Sequence, residues 1–167
     1  MKSWADSLNS RKNIQPHSSK ENIRMSQGPE ANFWNTLRKS LPQNCYAWRI
    51  ENRVTAGMPD VYAIWDGLPL WLELKVINTD KVKLSPQQIA WHTAHSHAGG
   101  LSFFLVKSTK GRGLFLFEGC HGRLVASEGV SCGQGLRFED RESMWEGLRT
   151  VARDHYEHVL RPCGPAS

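Results

Sequence analysis

Long apolar stretches are missing from this 167-residue chain. None approaches the about 20 residues a membrane-spanning helix requires, so no membrane partner is expected. Met1-Lys2-Ser3-Trp4-Ala5-Asp6 also lacks the apolar core of a secretory signal, which makes the cytoplasm the expected compartment. Cysteine is scarce: Cys45, Cys120, Cys132 and Cys163 are scattered, with no Cys-x-x-Cys pair. A disulfide scaffold is thereby excluded, and a zinc site from Cys120, His121 and Cys132 lacks the usual ligand spacing. There are no internal repeats. Gly111-Arg112-Gly113 is too short to cradle a nucleotide, so no nucleotide cofactor is expected. Charge of one sign is also in short supply. The 21 Lys and Arg against 16 Asp and Glu leave +5, which suits an acidic partner such as nucleic acid without singling it out.

What is present supports one packed domain. Hydrophobic residues make up 40% of the chain and seven are Trp, enough for a single core. Residues 1–27 are polar and read as an arm whose Lys2, Arg11, Lys12, Lys20 and Arg24 could meet phosphates; 161–167 read as a tail. Between them, 28–160 form the folded unit. A first helix is expected from Pro29 to about Leu41, with Phe33, Trp34, Leu37 and Leu41 as its apolar stripe. Glu30 falls on the inward side of its first turn. There it either favours the helix dipole or faces a site. A strand over Cys45–Ile50 follows, then a hairpin of Asp60–Trp65 and Leu70–Ile77, turning at Asp66-Gly67 with Pro69 ending the loop. Both hairpin strands are apolar enough to be covered on both faces.

A second helix starts at Ser85-Pro86-Gln87-Gln88 and stops at Gly99-Gly100. Its His92, His95 and His97 are expected to be exposed or capping, with metal binding as the alternative. Strands over Leu101–Lys107 and Leu114–Glu118 come next. Gly119–Gly135 reads as irregular. A last helix over Glu142–Leu160 turns Met144, Leu148, Val151 and His155 or Val159 inward, leaving Trp145 and Tyr156 off the stripe as a candidate contact for a second copy. This order predicts an α/β sandwich with a mixed central sheet flanked by helices.

The chemistry sits in the hairpin. Glu73 and Lys75 interrupt Trp-Leu-Glu-Leu-Lys-Val and, two apart on a strand, project together, while Asp60 opens the first strand. Burying such charges costs several kcal/mol each unless they are paired or hold a metal. An internal salt-bridge cluster is the plain alternative, although buried ion pairs rarely stabilise a fold over apolar residues.

Pro59-Asp60, a hairpin, then Glu73-Leu74-Lys75 resembles the PD-(D/E)XK nuclease superfamily, most closely its small VRR-Nuc-type and Holliday-junction-resolvase-like members often carried by phages. The resemblance runs from about Glu30 to Val106. It implies a restriction-endonuclease-like fold and a Mg²⁺-dependent DNA endonuclease in which Mn²⁺ can substitute. Asp60, Glu73 and the Leu74 carbonyl would hold the metal, and Glu30 would act in the outer shell or on a second ion. Lys75 would lie near the attacking water and the phosphate. Gln88 would contact the site, with Gln87 as the fallback register; a capping box with Ser85 is the local alternative, and one side chain is expected to serve only one of these roles. Arg49, Arg53, Lys81, Lys83, Lys110 and Arg112 are the candidates for a DNA-binding rim. Cutting branched junctions would require a homodimer. A catalytically silent DNA-binding module of the same fold is the competing reading.

Overall fold

The computed structural model describes residues 28–50, 55–111 and 113–159. The expected arm, Arg53, Arg112, the Val159 side chain and the 161–167 tail lie outside the described residues. Helix α1 (Pro29–Leu37) passes into a 3-10 turn over Arg38–Ser40. Strands β1 (Cys45–Arg49), β2 (Val61–Trp65) and β3 (Leu68–Ile77) follow, then α2 (Pro86–His97), β4 (Ser102–Ser108) and β5 (Leu114–Glu118). Helix α3 (Gly122–Glu128), strand β6 (Leu136–Phe138) and α4 (Arg141–Val159) complete the order.

The six strands lie in sequence order. Only β3 and β4 are parallel, because α2 carries the chain back between them; the other neighbours are antiparallel. The mixed sheet flanked by helices expected from the sequence is therefore what forms. Strand alternation sends Leu70, Leu72 and Leu74 to one face, where they pack with Phe33, Trp34 and Leu37 of α1 and Met144, Trp145 and Leu148 of α4. The opposite face carries Phe104, Val106 and Phe117 against Val125 of α3. Strand β4 is buried at every position except the half-buried Lys107, because both its faces are covered. Strand β2 is not: Ile64 is 37% exposed, which corrects the reading of the hairpin as two doubly covered strands.

The hairpin turn is tighter than expected. Trp65 pairs with Leu68, leaving Asp66 and Gly67 as the whole turn, with φ of 50° and 84°. Positive φ at both central residues defines a type I′ turn, whose twist matches the strands. Pro69 therefore belongs to β3 rather than to the loop. Trp71 donates its N–H to the Leu101 carbonyl on the β4 side, and Pro69 faces that same side two residues earlier, before β4 begins. No ladder bond is lost there, and Tyr156 Oη donates to the Pro69 carbonyl at 2.6 Å.

A helix lies in the segment read as irregular, Gly119–Gly135, and an unforeseen strand just past it. Helix α3 is short, flanked by 3-10 turns, and anchored by the fully buried Val125. Its glycines answer close approaches: a Cβ on Gly129 (φ +74) would come within 2.0 Å of the Asp80 carbonyl oxygen. Strand β6 is an edge of three residues with Leu136 and Arg137 exposed, too short to show a period. On α4, Trp145 is 4% exposed and meets Trp65 edge-on at 5.9 Å, so it belongs to the core and not to an outer contact surface. Among the described residues no helix is long and apolar enough to cross a membrane.

Candidate active site

The hairpin register sets the site. Val61 pairs with Leu72, so the next step outward places Asp60 opposite Glu73. Directly opposed residues of an antiparallel pair share a face. Asp60 stands just ahead of β2 rather than inside it, as the sequence had suggested. Lys75 follows on the Glu73 face, and its Nζ lies 3.0 Å from Glu73 Oε1. Asp60 Oδ2 accepts the Leu74 N–H at 2.9 Å. In an extended strand a residue's N–H and C=O leave by the same edge. The Leu74 carbonyl therefore faces the edge at which Asp60 stands. Glu30, half-buried in the first turn of α1, is near enough that its charge raises the pKa of both Asp60 and Glu73.

Helix α2 adds Gln88, whose side chain reaches Glu73, while Gln87 is exposed. Ser85 and Gln88 form a capping box: the Gln88 N–H donates to Ser85 Oγ at 3.1 Å and the Ser85 N–H to Gln88 Oε1 at 3.0 Å. The same amide's Nε2 donates to Glu73 Oε1. An amide has an acceptor at one atom and donors at the other, so one side chain serves both roles, contrary to the expectation that it could serve only one. Gly57 fixes the approach of the Asp60 loop to this helix. Its φ is +86°, and a Cβ there would fall 2.3 Å from the Gln87 carbonyl oxygen.

Glu73 is 2% exposed, with Oε1 held by Lys75 and Gln88 and Oε2 buried without a partner among the described residues. Burial, then the Asp60 charge, push its pKa up to about 7 despite Lys75. Burial also raises Asp60, partly offset by the Leu74 N–H, Lys75 and Arg49. Two repelling carboxylates and an orphaned buried oxygen are what a hard divalent cation would relieve, so the residues fit such an ion. Among the described residues no three His, Cys, Asp or Glu side chains gather as a metal-holding group. The pair would need the Leu74 carbonyl and water to complete a coordination shell. The Cys120, His121 and Cys132 combination likewise forms no such group.

Other candidates fall into place unevenly. Arg49 ends β1, half-buried, and its charge lowers the Asp60 pKa. Lys81 and Lys83 are exposed beyond the end of β3, and Lys110 beyond β4. His92 is fully buried rather than exposed or capping. Its ring packs 4.1 Å from Phe104, and Nδ1 lies 2.8 Å from Ser102 Oγ. Burial drives its pKa down to about 3, so it is a neutral core residue. Sequence reading missed an aromatic row beside the acids: Tyr62 meets Trp71 at 4.8 Å, and Trp71 meets Trp91 at 5.5 Å. The signal was the alternation of large aromatics along the strands, legible only once the pairing is known.

No protein-family model matches the chain, and no curated protein matches it. Among solved structures it is similar to Hjc, a Holliday junction resolvase from the archaeal hyperthermophile Archaeoglobus fulgidus. The TM-score is 0.44 at 16% identity, over 72% of this chain and 94% of that one. The function of the site is read from its own geometry.

Proposed function

We propose that the chain is a metal-dependent deoxyribonuclease that hydrolyses phosphodiester bonds, with Mg²⁺ as its ion and Mn²⁺ able to substitute. The observation that carries this reading is the convergence of Asp60 and Glu73 on one sheet face, with Lys75 Nζ 3.0 Å from Glu73. A divalent cation held by Asp60, Glu73 and the Leu74 carbonyl would supply charge at the phosphoryl oxygens and a more acidic water.

The chain's own residues would do the rest. Gln88 holds Glu73 so that Oε1 is occupied and Oε2 remains available. Lys75 presents its ammonium beside these carboxylates, where it can orient the attacking water or neutralise charge building at phosphorus. Glu30 adds negative charge from behind, which favours cation binding. Lys81, Lys83 and Lys110 supply exposed cations past the strand ends, suited to a phosphate backbone crossing the sheet. The raised pKa values count against a mere salt-bridge cluster, since a group built for ion pairing would hold its carboxylates ionised.

The test is incubation with Mg²⁺ and a panel of linear duplex, single-stranded, flapped and four-way DNA. Wild type should cut at least one substrate, and Lys75→Ala should lose about 10²-fold or more in rate. Cutting that survives Lys75→Ala at full rate overturns the mechanism. DNA binding without cutting by the wild type would leave the silent binding module. Preference for the four-way substrate, together with a dimer in solution, would establish the junction-resolving form of the proposal; equal cutting of every substrate would remove it.

A further inference from the structure

The face that carries the carboxylates continues onto β1, and there it is bare. Tyr46 and Trp48 are 62% and 61% exposed. They pair with Ile64 and Tyr62, and Asp60 lies two residues before Tyr62, so all five share one face. Trp48 is thus one strand across and two residues along from the proposed metal ligand. Among the described residues β2 is the only element with which β1 makes extensive contact, and α2 packs farther along, on β4. Tyr46 and Trp48 lie about 7 Å apart along the strand, two flat surfaces in a row. Around the edge of β1, on the side covered by α1, Trp48 also borders a cavity of about 770 Å³ lined by Arg38, Lys39 and Arg49 and, among the described residues, by no carboxylate.

We propose that Tyr46 and Trp48 are a stacking platform for unpaired nucleotides of the DNA substrate, with Arg38, Lys39 and Arg49 receiving the adjoining phosphates. This rests on the nuclease reading of the neighbouring site and narrows its substrate to DNA with a single-stranded segment at the point of cleavage. Exposed aromatics are suited to this because every base offers a π-face, and bases stack on them with little sequence preference. Cations bordering the same strand edge neutralise a backbone that crosses it. A second copy of the chain is a poorer occupant. A two-fold contact across the exposed β1 edge would bring the three cations that border Trp48 toward their own equivalents.

The experiment measures anisotropy of a short labelled oligothymidylate and of a blunt duplex, in EDTA so that no hydrolysis intervenes. Trp48→Ala should weaken oligothymidylate binding roughly tenfold, with a smaller loss for Tyr46→Ala and near-complete retention in Trp48→Phe. Blunt-duplex affinity and thermal melting should stay at wild-type values, since both side chains are exposed. Unchanged oligothymidylate affinity in Trp48→Ala overturns the platform. So does a wild-type dimer that Trp48→Ala converts to a monomer, which would assign the patch to a second copy. A parallel cleavage assay separates the two proposals. A wild type that binds through Trp48 yet never cuts removes the hydrolytic reading alone. One that cuts while Trp48→Ala binds normally removes the platform alone.

Discussion

Glu73 concentrates the chemistry of the molecule at the scale of one residue: a carboxylate 2% exposed, its pKa lifted from 4.5 to about 7. Because the folded value lies above the unfolded one, this residue's contribution to stability is full below about pH 4.5 and is lost as pH rises through about 7. A shift of that size corresponds to about 3 kcal/mol. Glu73→Gln should therefore gain on wild type by up to about 3 kcal/mol between acid and pH 8 in metal-free buffer, read by thermal melting. Added Mg²⁺ should narrow the gap by stabilising wild type only. Parallel melting curves across the pH range would show that Glu73 is not strained by burial. Asp60, Glu73 and Lys75 were legible in the sequence because period-two alternation and the hairpin place them together. The double duty of Gln88 was not, because it depends on how closely α2 approaches β3.

At the scale of elements, α2 and the loop before β2 position the site together. Ser85 caps α2 and holds Gln88 through the capping box. Ser85→Ala should cost about 1 kcal/mol in stability. It should also lower kcat more than it raises KM, since Gln88 loses the anchor from which it holds Glu73; an unchanged kcat would confine Ser85 to capping. Gly57→Ala meets two obstacles, a positive φ and the Gln87 carbonyl. It should lose about 1–3 kcal/mol, measured by denaturant unfolding. The start of α1, the Asp66-Gly67 turn and the cap of α2 were readable because Pro, Asp-Gly and Ser-x-x-Gln have local mechanisms. Helix α3 and β6 were hidden because contacts with the Asp80 carbonyl and β5, not periodicity, dictate their residues. Trp145 was misjudged for a similar reason: its neighbour Trp65 is distant in sequence.

At the scale of the whole molecule, α1 and α4 close one face of the sheet while α2 and α3 cover only part of the other. The carboxylates and the β1 aromatics share the face left open, and a polymer can lie across it where a small ligand would find no enclosure. Cavities of about 600 and 770 Å³ are not lined by Asp60 or Glu73. Binding that depends on Arg49, Lys81, Lys83 and Lys110 should weaken steeply as salt rises, and each cation replaced by Ala should flatten the slope of log affinity against log salt by about 1. The central claim is that Asp60 and Glu73 converge to hold one divalent cation, and titration of the protein with Mn²⁺, followed by the resonance of the free ion, tests it most directly. The wild type should bind one ion per chain at this site, and Asp60→Asn and Glu73→Gln should each abolish it. Binding that is absent from the wild type, or unchanged in both variants, would contradict it.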